Sequence, residues 1–203
     1  LVHIVPSSSV VQTSTVSSMP MPMEKDVLNV LLIGIDSRNT VTDPVGRSDS
    51  MILVSLNTRT KRIVMTSFMR DSYVEIPGYG KRRLNAAYQY GGADLLVTTI
   101  EQDFKIDIDY YVKVDFFDFM EIIDKLGGVT IDVTEKELPI LNMYVRDMNK
   151  LLKAPVEDQV LPAAGTGLTL TGKQALGYSR IRYIGDDFKR TERQRIVLNQ
   201  VLN

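Results

Sequence analysis

Cysteine and tryptophan are absent from the 203 residues, and the one histidine is His3. Without cysteine the chain has no disulfide, no thiolate-held zinc and no thiol nucleophile, and its compartment cannot be read from redox chemistry. A lone histidine near the N-terminus leaves a Ser-His-Asp triad or a His-rich metal site without its members. An excess of charge is missing too: 24 Lys and Arg stand against 25 Asp and Glu, a formal net charge of −1. A general nucleic-acid binder needs a basic excess to displace counterions, so that class is excluded. No apolar run approaches the roughly 20 residues of a membrane span. What remains, 44% hydrophobic and 24% charged residues, is enough for one α/β domain with a substantial core.

The first 26 residues are rich in Ser, Thr, Pro and Val without helical period. They read as an extended linker or an edge-strand arm preceding a single domain over 27–203. The chain ends inside an apolar helical pattern, V-L-N-Q-V-L-N, so the expected domain is cut short there. From Val27 the run V-L-N-V-L-L-I-G-I-D has the continuous apolar character of a strand buried on both faces. Two β-rich runs, Ser50 to Leu56 and Arg62 to Phe68, predict a hairpin across Asn57 to Lys61. Tyr73 to Ile76 extends into the turn Pro77-Gly78-Tyr79-Gly80. Helices are predicted over Leu84 to Tyr90 and Ala93 to Phe104, separated by Gly91-Gly92, and a strand over Asp109 to Asp115. Helix Phe116 to Leu126, the Gly127-Gly128 turn and strand Val129 to Val133 follow. Alternating elements of this kind predict a central mixed sheet with helices on both faces, a three-layer α/β/α fold.

The segment 134–169 is the least readable. Leu141, Tyr144, Val145, Met148 and Leu152 have helical spacing, but Pro139, Pro155 and Pro162 interrupt the region, leaving an insertion or a lid as alternatives. Thr171-Gly-Lys-Gln174 then carries a capping-box pattern for a helix reaching about Ser179.

Arginines recur beside aspartates where strands end, in G-I-D-S-R (34–38), G-R-S-D-S (46–50), S-F-M-R-D-S (67–72), S-R-I-R (179–182) and D-F-K-R-T-E-R-Q (187–194). Guanidinium forks suit phosphate oxygens and carboxylates suit Mg²⁺, the mixture that a pyrophosphate and its metal require. Asp36 and Asp49 end one strand and precede the next, close enough in sequence for one loop to fold them into a single oxygen cluster. The alternative is that each forms a surface ion pair, Asp36 with Arg38 and Asp49 with Arg47. In a helix from Asp187, Arg190 falls in the first turns, with Gln194 one turn on along the same face and Arg193 beside them. A cation at a helix N-terminus is unfavourable, so Arg190 implies a bound anion. Glu192, Arg193 and Arg195 also fit an ordinary solvated face.

These motifs, with L-N-A-A-Y-Q-Y-G-G, L-G-G-V-T-I-D-V and L-T-G-K-Q-A-L-G-Y-S-R-I-R, resemble the LytR-CpsA-Psr family of cell-envelope glycopolymer transferases from about Asn29 onward. The resemblance implies an α/β fold with an apolar lipid-binding pocket. It implies transfer of a phosphoglycan, as of teichoic acid or capsular polysaccharide, from a polyprenyl-pyrophosphate-linked precursor to peptidoglycan, with release of polyprenyl phosphate. It makes Asp36 and Asp49 Mg²⁺ ligands and Arg70, Arg182, Arg190 and Gln194 pyrophosphate contacts, with Arg38, Arg47, Arg83 and Arg180 as secondary contacts. Asp36 or Asp71 is the base for the acceptor hydroxyl, Asp71 the weaker choice because an Asp after Arg can simply hold it. Two departures stand out: Met69 replaces a frequent proline, and Arg83 a frequent lysine. The usual N-terminal membrane helix is absent, which reads as a truncation of a protein anchored to the outer face of the bacterial cytoplasmic membrane. Helices Ala93 to Phe104 and Phe116 to Leu126 are apolar enough to line a lipid tunnel, although Phe104, Phe116, Phe117 and Phe119 also fit ordinary packing. A lipid-pyrophosphate hydrolase and a non-catalytic lipid-glycan binding module are the other classes that these residues allow.

Overall fold

A computed structural model describes residues 3–6, 26–36, 48–182, 184 and 187–202. The chain divides into two compact units, Leu1–Asp115 and Phe116–Asn203.

The first unit is built on a mixed five-stranded sheet in the order β1-β7-β2-β3-β4. Its strands are β1 (His3–Pro6), β2 (Val27–Ile35), β3 (Ser48–Asn57), β4 (Arg62–Ser67) and β7 (Tyr110–Val114). β2 runs parallel to β7 and antiparallel to β3, and the predicted hairpin is the antiparallel β3–β4 pair. The nearly unbroken apolar run of β2 fits its place between two neighbours, with Leu31 and Ile33 fully buried on one face and the residues alternating with them half-buried on the other. Leu31, Ile33, Met51 and Leu53 of the sheet form one core with Leu96 and Ile100 of helix α1 (Asn85–Phe104). That helix is broken where the sequence places its Gly-Gly pair: Gly92 has φ +66° and ψ −155°, a region essentially closed to residues with a Cβ.

Strands β5 (Tyr73–Ile76) and β6 (Gly80–Arg83) form a separate antiparallel ribbon. The sequence reading has β5 and the turn but not β6, because Lys81, Arg82 and Arg83 are all exposed and so leave no apolar alternation to read.

The second unit comprises α2 (Phe116–Lys125), β8 (Val129–Val133), α3 (Leu138–Leu151), β9 (Gly165–Leu170), α4 (Gly172–Ser179) and α5 (Asp187–Leu202). β8 and β9 pair antiparallel, and Val129, Ile131 and Val133 join Leu141, Val145, Tyr178, Ile181 and Val197 in its core. The proline-interrupted segment becomes helix α3 followed by a strap laid against it. Asn142 and Leu161 exchange two hydrogen bonds, at 2.8 and 2.9 Å. Asn149, fully buried, donates to the carbonyls of Val156 and Asp158 at 3.0 and 2.6 Å. Lys173 closes the arrangement from α4, reaching Asn149 Oδ1 at 2.9 Å and Asp158 Oδ2 at 2.6 Å.

Helix α4 begins with the Gln174 side chain accepting the Thr171 N–H at 2.9 Å, as a capping box requires, while the Thr171 hydroxyl donates to Gln159 Oε1 at 2.8 Å. Its first residue lies against α2, where a Cβ on Gly172 would stand 2.3 Å from the Met120 carbonyl oxygen. Both groups are backbone, so neither can swing away. Gly172→Ala is therefore expected to destabilise the protein by about 1–3 kcal/mol, the usual cost of overpacking, read as a lower midpoint in urea with an unchanged slope. An unchanged midpoint would mean that α2 and α4 separate at no cost.

Candidate functional site

In the first unit, strand register fixes where the two predicted metal ligands lie. Gly34 lies opposite Ser50 and Ile35 opposite Ser48, so Asp49 is the extra residue of a β-bulge. Asp36 is the residue immediately after β2, so both carboxylates sit at the same end of adjacent strands. Bulges re-aim side chains in this way at many functional sites.

Among the described residues Asp49 has Arg70 as an ion partner. Arg70 donates to Asp49 Oδ1 from Nη1 at 2.7 Å, with both side chains about three-quarters buried. Arg70 Nε lies 3.5 Å from Asp71 Oδ2, and Asp71 Oδ1 accepts from Arg83 Nη1 at 3.2 Å. The result is a line of alternating charge, Asp49, Arg70, Asp71 and Arg83, that ends on the exposed Arg83 side chain. The line does not rely on a proline at position 69. Phe68 N–H bonds Met51 O at 2.9 Å, Ser72 N–H bonds Met69 O at 3.0 Å and Asn85 N–H bonds Arg70 O at 3.1 Å, so the loop is tied to β3, to itself and to α1. Arg38 and Arg47 lie outside the described residues.

Among the described residues no cluster of three or more His, Cys, Asp or Glu forms a protein cage for a metal. Asp36 and Asp49 thus offer a two-carboxylate donor set of hard oxygens. That set fits Mg²⁺, which commonly takes one or two carboxylates and completes its shell with water and substrate phosphate.

In the second unit, α5 carries Arg190, Thr191 and Arg193, which are 2%, 6% and 6% exposed. The burial of Arg193 corrects the solvated-face alternative for that residue. Its Nε donates to Glu137 Oε1 at 2.8 Å, its Nη1 to Ile181 O at 3.3 Å and its Nη2 to Ile184 O at 3.2 Å. Glu137 also accepts from Thr134 N–H and Oγ1 at 3.0 and 2.8 Å. Burial alone would raise the Glu137 carboxyl, but the Arg193 and Thr134 bonds outweigh it and hold it below the usual carboxylate range. Burial, with the Glu137 charge next in importance, pushes the neighbouring Tyr178 hydroxyl up to about 12. Arg193 is thereby a tie between α5 and the start of α3, and the sequence offered no signal for its partner Glu137.

Arg190 and the half-buried Gln194 share a face of α5, as their spacing predicts. Arg180, at the end of α4, is sandwiched between the Phe116 and Tyr144 rings, 4.6 and 4.7 Å from their centroids. Two cation-π contacts fix its plane. Arg182, two residues on, is exposed. Of the phenylalanines considered as lipid lining or core, Phe116 and Phe119 pack against Met120, Met148 and Leu176. Phe104 and Phe117 keep 40% and 41% of their surface exposed.

Comparison with known proteins places this geometry among relatives. The polyisoprenyl-teichoic acid–peptidoglycan teichoic acid transferase TagU of Oceanobacillus iheyensis is 36% identical over 188 residues, 89% of this chain and 52% of TagU. TagT of Bacillus subtilis, a transferase of the same description, is 37% identical over 181 residues, 88% of this chain and 53% of TagT. The chain therefore spans about half the length of these curated relatives. A solved structure of TagT with bound octaprenyl pyrophosphate lipid superposes with a TM-score of 0.70 at 32% identity, covering 98% of this chain and 72% of that one. The α/β fold on a mixed sheet is common to both. The model of the LytR_cpsA_psr family matches residues 6–203, and the chain belongs to that family.

Proposed function

We propose that this chain transfers a phosphoglycan from a polyprenyl-pyrophosphate-linked precursor to a peptidoglycan hydroxyl, releasing polyprenyl phosphate. The observation that carries this reading is the Asp49, Arg70, Asp71 and Arg83 line beside Asp36 at one end of the sheet. It combines fixed guanidinium forks for phosphate oxygens with two carboxylates for a metal. The names of the relatives, teichoic acid transferases with peptidoglycan as acceptor, support the same reaction class. So does the polyprenyl pyrophosphate bound to TagT.

In this reaction the acceptor oxygen forms a bond to the phosphorus that carries the glycan, and the anhydride bond to the polyprenyl phosphate breaks. The hydroxyl proton passes to a carboxylate. Asp36 is proposed as the base, as its place in the family motif G-I-D-S-R implies, while Asp71 holds Arg70 and Arg83. Mg²⁺ held by Asp36 and Asp49 would neutralise charge developing on the phosphate oxygens. Arg70 and Arg83 supply preorganised donors to the same oxygens. Arg180, Arg182, Arg190 and Gln194 are proposed phosphate contacts through the family motifs that contain them. Arg193 is left out, since its three nitrogens are engaged within its own unit. The prenyl chain is proposed to occupy an apolar pocket. Such a substrate places the protein at the outer face of the cytoplasmic membrane. Among the described residues no helix is long and apolar enough to cross one.

The testing experiment supplies purified protein with a synthetic polyprenyl-pyrophosphoryl saccharide and un-cross-linked peptidoglycan, with and without Mg²⁺. A phosphodiester conjugate that depends on Mg²⁺, identified by mass spectrometry, is the expected product. Free phosphosaccharide without conjugate would make the protein a hydrolase, and intact substrate would make it a binding module. Asp36→Asn is expected to lose turnover while keeping the fold, and unchanged activity in that variant would remove the metal and base assignments together.

A further inference from the structure

The β5–β6 ribbon carries an aromatic surface that the phosphate chemistry does not use. In its register Tyr73 lies opposite Arg83 and Glu75 opposite Lys81. Opposed side chains of an antiparallel pair share a face, and successive ones alternate. Val74 and Ile76 are buried at 6% and 0% exposure, so the face holding Tyr73, Glu75, Lys81 and Arg83 points outward. Tyr73 is 71% exposed. At the ribbon's tip, Tyr79 stacks on Tyr90 of α1 with centroids 4.6 Å apart and planes 13° from parallel. Those two rings keep 47% and 42% of their surface exposed. Tyr73 and the stack thus stand at opposite ends of the ribbon, separated along the chain by about 10 Å, the length of a four-residue strand. The Tyr73 end is joined to the Asp49–Arg70 line through the Arg83–Asp71 contact.

We propose that this ribbon face binds a glycan strand, the acceptor of the transfer, with sugar rings laid on Tyr73 and on the Tyr79–Tyr90 stack. Sugar rings present C–H groups on their faces, which the electron-rich face of a tyrosine attracts, and hydroxyls around their rims that both donate and accept. The charges on that face, Lys81 and Arg83 as donors and Glu75 as acceptor, are all exposed and match such a rim. A protein partner fits the surface less well, because interface cores are depleted of Lys and Glu and the ribbon's aliphatic side chains, Val74 and Ile76, face inward. The ribbon's link to the line that engages phosphate sets the strand beside the bond to be broken. Identifying the strand as the acceptor rests on the transferase reading. Binding of the strand does not.

The test titrates the full chain calorimetrically with soluble un-cross-linked peptidoglycan strands and, separately, with a short-chain prenyl-pyrophosphoryl saccharide. Tyr73→Ala and Tyr79→Ala are each expected to weaken strand binding about tenfold, in line with losing one stacked ring. Tyr73→Phe should retain it, and the affinity for the pyrophosphoryl saccharide should stay the same throughout. Failure of the unaltered protein to bind strands would overturn the proposal, as would unchanged strand affinity in both alanine variants. So would a concentration-dependent dimer that Tyr73→Ala dissociates, since the face would then belong to a second copy. Strand binding that depends on these tyrosines in a protein that transfers nothing would leave the ribbon assignment standing and remove the transferase reading.

Discussion

Arg70→Ala is expected to lower kcat by about 10²–10³-fold, the cost of removing one preorganised donor from a developing oxyanion. A guanidinium held 2.7 Å from one carboxylate and 3.5 Å from another reorganises little when negative charge grows on a nearby phosphate. That lack of reorganisation is what makes such donors effective. The same contact gives Arg70 a second effect that separates catalysis from architecture. Asp49 shares its charge with Arg70, so removing the guanidinium leaves a carboxylate more available to a cation. Mg²⁺ affinity, measured calorimetrically, should therefore hold or rise in Arg70→Ala while turnover falls. In Asp49→Asn both should fall. Arg70→Lys keeps the positive charge but loses the planar fork, and only partial recovery of kcat is expected. If Arg70→Ala loses Mg²⁺ binding and lysine restores full activity, Arg70 merely positions Asp49 and its place among the phosphate contacts is wrong.

How much of this was legible in the sequence depends on where each element's instructions reside. Strands β2 and β3 were readable because their apolar runs supply core residues such as Leu31, Ile33, Met51 and Leu53, and β4 because Ile63, Val64 and Thr66 favour an extended backbone even where they are exposed. The break at Gly91-Gly92 was readable because the conformation at Gly92 excludes side chains. Strand β6 was not, since Lys81, Arg82 and Arg83 are exposed and its pairing is dictated by the turn and by Val74 and Ile76 across from it. The strap after α3 was illegible for a different reason. Its backbone is satisfied by Asn142 and Asn149, and a buried asparagine looks in sequence like any polar residue of a helix. Strand β9 was missed with it, being paired only to β8 and interrupted by Gly165 and Gly167. At the site, the aspartates and arginines were named from their motifs, but their partners were not. Sequence proximity offered Arg47 for Asp49. Arg47 lies outside the described residues, and the partner that the structure does show, Arg70, is brought there by a loop whose three backbone hydrogen bonds leave no trace in composition. Arg193 shows the converse, an arginine in a functional motif whose nitrogens are taken by Glu137 and two carbonyls.

Glu137→Gln is expected to destabilise the protein by about 3–5 kcal/mol at neutral pH, the range for breaking a buried ion pair by removing one partner. The glutamate and arginine side chains are only 11% and 8% exposed, so the Arg193 charge would be left without a counter-ion where water cannot replace it. That loss is a large fraction of the 5–15 kcal/mol that usually holds a domain together. Replacing both partners by apolar residues, Glu137→Leu with Arg193→Met, removes the stranded charge. It should recover part of the loss, though not all, because Thr134 N–H and Oγ1 also bond to Glu137. The pH dependence has a fixed sign. The folded carboxyl titrates below its ordinary value of 4.5, so the unfolded chain takes up the proton first as pH falls. The pair's contribution is fully present above about pH 4.5 and disappears as pH drops through the lower folded value. Urea denaturation of the native protein and Glu137→Gln should therefore give midpoints far apart at about pH 7, equally far apart at about pH 5.5, and converging as the pH falls below the ordinary carboxyl range. A gap that persists undiminished in acid would mean that the charge of Glu137 is not what stabilises the fold. Convergence would identify one buried ion pair as the acid-sensitive tie between α5 and the start of α3, and so as what holds the helix that carries Arg190 and Gln194 in place.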